Sequence, residues 1–195
     1  MSNEMLKNIK IEIESYYDHY VYLADMMAVY QHISDVLKTV KENDAGINFL
    51  KITYAATIDS MMITFARLYD EDGNSKNINQ LIEKCRKNSS LSIDKLELEK
   101  QLECFKNKLC NDEYLVPAVK TIKMRRDKMF AHNDKKFFNN PEKDTSYLPM
   151  YQLWFLRDYT KDLLQMLAHA YQITFSKDVI YDQDLNELVY NRRLK

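Results

Sequence analysis

Two side chains bear most directly on chemistry, Arg126 and His132, in the stretch Met124-Arg125-Arg126-Asp127-Lys128-Met129-Phe130-Ala131-His132-Asn133-Asp134. A guanidinium keeps its charge at any physiological pH and offers N–H donors in a fork that fits a phosphate. An imidazole, with an intrinsic pKa of about 6.5, takes or gives a proton near neutrality. Together they can hold a phosphate and move a proton beside it.

A helix must position this pair. Val119, Ile122, Arg126, Met129 and Phe130 recur at the three-and-four spacing of an apolar helix stripe. At about 100° per residue, Arg126 falls near the middle of that stripe, between Val119, Ile122 and Phe130. Burying its charge without an acceptor is heavily penalised, so a carboxylate, a phosphate or a partner chain is expected to meet it. A homodimer whose partner surface neutralises the stripe follows as one expectation. Arg125 lies two helical turns before His132 and shares its face, whereas Arg126 and His132 stand about 120° apart on an ideal helix. The stripe favours Arg126, with the helix loosening before His132; Arg125 remains a candidate phosphate contact.

Asp127 and Asn133 are placed to orient the pair, and Arg125 or Lys128 to hold the next phosphate. Between Lys120 and Lys136 seven Lys or Arg face two Asp, and this excess includes Lys135 and Lys136. Taken alone, such lysines can be a solvated helix face complementing the helix dipole. Beside an Arg/His pair they favour phosphate, so RNA is the expected substrate. Asp and Glu do not cluster at metal spacing, which points away from two-metal nucleases and towards metal-free cleavage with no cofactor. RNA carries its own nucleophile, the 2′-hydroxyl next to the scissile phosphate. His132 would move its proton and Arg126 would offset the charge that grows on the phosphate, leaving a 2′,3′-cyclic phosphate and a 5′-hydroxyl.

The chain has 195 residues, enough for one well-buried domain over residues 1–195, with a core from about 5 to 175 and a tail from 176. Two glycines and three prolines leave few turn formers, and the aliphatic spacing is helical throughout, so the fold reads as all-α. A net charge of −1 says little about partners. Cys85, Cys104 and Cys110 fit neither a disulfide framework nor a zinc site. Neither a signal peptide nor a membrane span is legible, and a cytoplasmic location with no membrane partner is expected.

In chain order, the spacing predicts a first helix after a Ser2-Asn3 cap to about Val40, dense in tyrosine at Tyr16, Tyr17, Tyr20, Tyr22 and Tyr30. Packing at a helix seam with hydroxyls reaching solvent is the favoured reading, and base stacking the alternative. His19 and His32 read as polar edge positions. A second helix is predicted from Ile47 to Tyr69, in which Asp59 and Arg67 interrupt an apolar stripe and read as salt-bridged. Shorter helices follow over 77–87 and up to Leu109, the latter capped by Ser92 or Asp94. The helix of the Arg/His pair starts near Tyr114 or Leu115, with Pro117 in its first turn. Residues 133–149 read as a long polar connection or a substrate lid, and a last long helix spans about Tyr151 to Phe175, with His169 packed among its apolar turns. A short helical pattern marks Leu185–Tyr190.

The segment Arg126-Asp127-Lys128-Met129-Phe130-Ala131-His132, followed by Asn133-Asp134, resembles the HEPN signature of an Arg, a polar residue, spacers and a His at the end of an amphipathic helix. Its wording is similar to the abortive-infection, U-type branch of HEPN proteins. Ile58-Asp59 and Phe65-Ala66-Arg67-Leu68-Tyr69-Asp70, closing a long helix before a loop and a short helix, fit the same branch. The resemblance covers roughly Tyr16 to Tyr171. It implies an up-and-down helical bundle with additional short helices, and a homodimer in which two Arg/His motifs face one composite cleft. One histidine would then act as base and the other as acid. A toxin or abortive-infection (phage-defence) ribonuclease restrained by an inhibitor is the first functional expectation. A catalytically silent module that binds nucleotide or RNA, or pairs with a nucleotidyltransferase, is the second. A helical dimer scaffold is the third.

Overall fold

The structure is a computed structural model and describes residues 2–41, 44, 46–70, 76–127 and 150–176. Among these residues the chain is α-helical apart from a short 3-10 turn and connecting segments, with no strand. Among the described residues six α-helices follow one another: α1 (Ser2–Leu37), α2 (Ile47–Leu68), α3 (Ile78–Lys87), α4 (Lys95–Asn111), α5 (Leu115–Arg125) and α6 (Met150–Tyr171). The fold is all-α, as composition and spacing predict. The pattern at Leu185–Tyr190 lies outside the described residues.

Local chemistry accounts for the helix starts. Asn77 accepts from the Gln80 N–H at 3.0 Å and opens α3. Asp94, not Ser92, caps α4 by accepting from the Glu97 N–H at 3.0 Å. Asp112 Oδ1 accepts from the N–H groups of Tyr114 and Leu115, 2.8 and 3.0 Å away, and so opens α5. Gly46, with φ 87°, makes the left-handed turn before α2. Ser2 already belongs to α1, so the Ser2-Asn3 pair is the helix's first turn and not a cap ahead of it. This helix ends at Leu37, three residues short of the expected Val40.

α1 runs antiparallel to α2, for Tyr22 reaches Ser60 while Tyr30 stacks on Tyr54. It runs antiparallel to α6 as well: Lys10 donates to the Gln172 carbonyl near one end, and Tyr20 lies within the field of Arg157 further along. α4 also runs against α6, with the Ile93 N–H on the Ala170 carbonyl and the Tyr159 hydroxyl on the Phe105 carbonyl. α5 packs on α2, α4 and α6. The seam between these helices is filled by Ile13, Leu23, Phe65, Ile122, Leu156 and Leu163, all fully buried.

Most tyrosines of α1 pack at helix seams, although Tyr22 is exposed. Tyr17 stacks on Phe175 with ring centroids 3.6 Å apart, and Tyr20 is buried. The Tyr16 hydroxyl, however, turns inward and donates to the Asn77 carbonyl at 2.9 Å instead of reaching solvent. An inward hydroxyl needs an acceptor, and the buried carbonyl of Asn77, the α3 cap residue, supplies one. His19 is exposed, while His32 is partly buried with its Nε2 sealed from solvent and unpartnered. His169 is exposed on α6 and not packed, because the helix's buried face passes through Leu167, Ala168 and Ala170.

Tyr69 closes α2 and fixes the chain just ahead of Asp70. Its hydroxyl lies 3.0 Å from the Leu156 carbonyl oxygen and 2.7 Å from Thr160 Oγ1, wholly inside the bundle. Burial pushes this phenol well above its ordinary pKa, so it stays a neutral donor. Tyr69→Phe removes the hydroxyl and its bonds to α6, while Thr160 Oγ1 still donates to the Leu156 carbonyl at 2.8 Å. Unfolding in urea should show a loss of about 1–3 kcal/mol with an unchanged dependence on denaturant.

Candidate active site

The Arg/His segment emerges from α5, whose buried face is Leu115, Ala118 and Ile122. These residues lock the helix onto α2 and α6 and carry the chain outward at Arg125. Arg126 and Asp127 continue in a wider π-type turn. Lys128, His132, Asn133, Lys135 and Lys136 lie outside the described residues, so the geometry concerns the arginine half of the motif.

Arg126 sits between two carboxylates. Its Nη1 is 2.6 Å from Asp70 Oδ2, and its Nε and Nη2 are 2.9 and 2.8 Å from Asp127 Oδ1. Hydrogen bonds to Asp70 first and Asp127 second hold the guanidinium still more firmly protonated than usual. The side chain is 32% exposed, where the stripe predicted the middle of a buried face. The deep positions of α5 are one and two turns earlier, at Ile122 and Ala118, and by Arg126 the helix has reached the bundle's surface. The expectation that a partner surface must neutralise Arg126 therefore loses its basis: Asp70 of the same chain meets it.

Arg125 points elsewhere. Its Nε is sealed from solvent, and its charge acts on Asp59 of α2. Burial pushes the Asp59 carboxyl up, and the Arg125 charge draws it part of the way back. Asp59 thus interacts across helices, and Arg67 is exposed. Asp59 and Asp70 are eleven residues apart, about three helical turns, so the two arginines reach in opposite directions along α2. The end of α5 is held beside the end of α2 by the Arg126–Asp70 ion pair, and the Arg125 charge acts on Asp59 further back.

Asp127 Oδ1 contacts the Arg126 guanidinium. Asp70 is a partner that residue types and spacing do not assign. The sequence shows it closing the Phe65–Asp70 segment, and the need for a carboxylate against Arg126 is the signal that points to such a residue. Nothing in the spacing, however, pairs residue 70 with residue 126. Among the described residues no group of His, Cys, Asp and Glu is arranged to hold a metal ion.

Because the Arg126–Asp70 pair is partly solvated, its contribution to stability is modest. Arg126→Ala and Asp70→Asn should each cost about 1 kcal/mol or less. Urea unfolding of the double variant should show a loss smaller than the sum of the two single losses. A fully additive double variant would mean that the two side chains do not stabilise each other.

Among the described residues no helix is long and apolar enough to cross a membrane. No curated protein and no solved structure matches the chain. The family model described as AbiU2, a HEPN family, matches residues 2–190 and so takes in α1 to α6 and the whole Arg126–His132 segment. With nearly its full length matched by that model, the chain belongs to the AbiU2 family of HEPN proteins.

Proposed function

We propose that the protein is a metal-independent endoribonuclease acting as a toxin or abortive-infection effector in phage defence. The observation that carries this reading is the presentation of Arg126. A guanidinium oriented by Asp127 stands partly exposed at the end of α5, six residues before His132. Family membership supports the abortive-infection part of the reading.

The reaction needs two proton transfers. His132 takes the 2′-hydroxyl proton as O2′ attacks the adjacent phosphorus, and the bond from phosphorus to O5′ breaks. The departing O5′ takes a proton from a second acid, which in a homodimer is the other copy's His132. The products are a 2′,3′-cyclic phosphate and a 5′-hydroxyl. Arg126 stabilises the charge on the non-bridging oxygens, sharing its donors between Asp127 and the phosphate. Arg125, Lys128, Lys135 and Lys136 supply further positive charge along the strand. An inhibitor protein or a nucleotidyltransferase is the proposed partner that restrains the activity.

One observation favours a second reading. Asp70 and Asp127 already engage Arg126, as in a pin that joins α5 to α2 in a silent module or scaffold. Kinetics separate the two. His132→Ala should lower RNA cleavage by about a hundredfold to ten-thousandfold while leaving the melting temperature nearly unchanged. Wild-type cleavage should persist in EDTA and yield cyclic-phosphate ends; activity lost to EDTA and restored by magnesium would point to another site.

The second acid requires a second copy. Light scattering at micromolar concentration should give twice the chain's 23.3 kDa. A monomer would rule out the two-histidine scheme.

A further inference from the structure

A cleft of about 410 Å³ opens between α3, α4 and α5, beside the Arg126 site. One wall is apolar, from Leu109, Val116, Val119 and the ring of Tyr69. The rim is polar, with Lys120 and Lys123 on α5 and Asn79 on α3. No carboxylate lines it among the described residues, although the chain as a whole has slightly more acidic than basic residues. A volume of this size suits a small organic ligand, and the lining sets its character: one planar or apolar body and one anionic end.

The position ties the cleft to Arg126. Tyr69 precedes Asp70, the carboxylate on Arg126, and Lys123 lies one turn before Arg126 on α5. The Tyr69 hydroxyl is engaged with α6, so only its ring contributes to the wall. We infer that this cleft holds one nucleotide of an RNA strand next to the phosphate at Arg126, with the base against Val116, Val119 and Leu109 and the phosphate at Lys120 and Lys123. The assignment rests on the ribonuclease reading, and it adds residues outside the Arg126–His132 motif that would select and orient the strand. A free nucleotide shares this chemistry, so the test separates the two sources.

Cys110 provides the probe, because its exposed thiol lines the cleft. Cys104, also exposed, lies in a separate groove of α4 and serves as an internal reference, and Cys85 is buried. The full-length His132→Ala protein, which should not consume substrate, is treated with iodoacetamide. It is treated alone, with single-stranded RNA at a concentration shown by fluorescence anisotropy to saturate binding, and with AMP. Mass spectrometry follows each cysteine. RNA should slow alkylation of Cys110 several-fold relative to Cys104, and Lys120→Glu should remove the protection. RNA that binds without protecting Cys110, or protection that survives both Lys120→Glu and Lys123→Glu, overturns the assignment. Protection by AMP but not by RNA overturns it too and makes the cleft a free-nucleotide site. Wild-type protein that cleaves RNA while Cys110 stays unprotected removes the cleft and leaves the ribonuclease reading standing. Protection by RNA without any cleavage by wild type keeps the cleft and removes that reading.

Discussion

Arg126 cannot give up its charge, and the chain meets this constraint with two carboxylates drawn from different places. Asp127 is the next residue and needs only a local turn to reach back. Asp70 is remote in sequence and reaches Arg126 only because α2 and α5 pack together. The ion pair therefore depends on the core beneath it. Leu115, Ala118 and Ile122 seat α5, and Tyr69 holds the end of α2 against α6. A shift of α5 by one turn, about 5 Å, would separate Arg126 from Asp70.

Much of the bundle's specificity comes from tyrosine hydroxyls used as cross-links. Tyr16 ties α1 to the start of α3, Tyr69 ties α2 to α6, Tyr159 ties α6 to α4, and Tyr171 ties α6 to the end of α3. Each joins a large buried ring to a backbone carbonyl in another element, so each contributes area and also penalises a slipped register. Burial raises the pKa of all four phenols, which keeps them neutral donors. Ion pairs on the outside add local ties, as where Glu83 of α3 meets Lys106 of α4 and Lys84 meets Glu12 of α1. Lys106 in particular holds the Glu83 carboxyl below its ordinary range.

This division of labour places fixed parts beside open ones. The hydroxyl cross-links and the aliphatic seam make α2, α5 and α6 a rigid frame, while Arg126 stands at its surface, paired but not buried. A charge paired by carboxylates at a solvated edge remains available to exchange partners, because water lowers the cost of separating it from either one. Buried deep, the same pair would act as a structural pin alone.

The sequence by itself determined the helices and the chemical inventory. Sparse glycine and proline and the three-and-four spacing of aliphatic residues are local signals, and the helix bounds followed from them to within a few residues. The motif Arg126–His132 and the family were legible too, because residue types at short spacing carry that information. Only the tertiary structure decided who meets whom. The ion pair of Arg126 with Asp70 and the action of the Arg125 charge on Asp59 span 56 and 66 residues of sequence, and helical periodicity contains no term for such separations. Periodicity misplaces the depth of Arg126 for a related reason. Periodicity gives the angle of a residue around its helix but not how far along that helix the core extends, and α5 leaves the core one turn before Arg126.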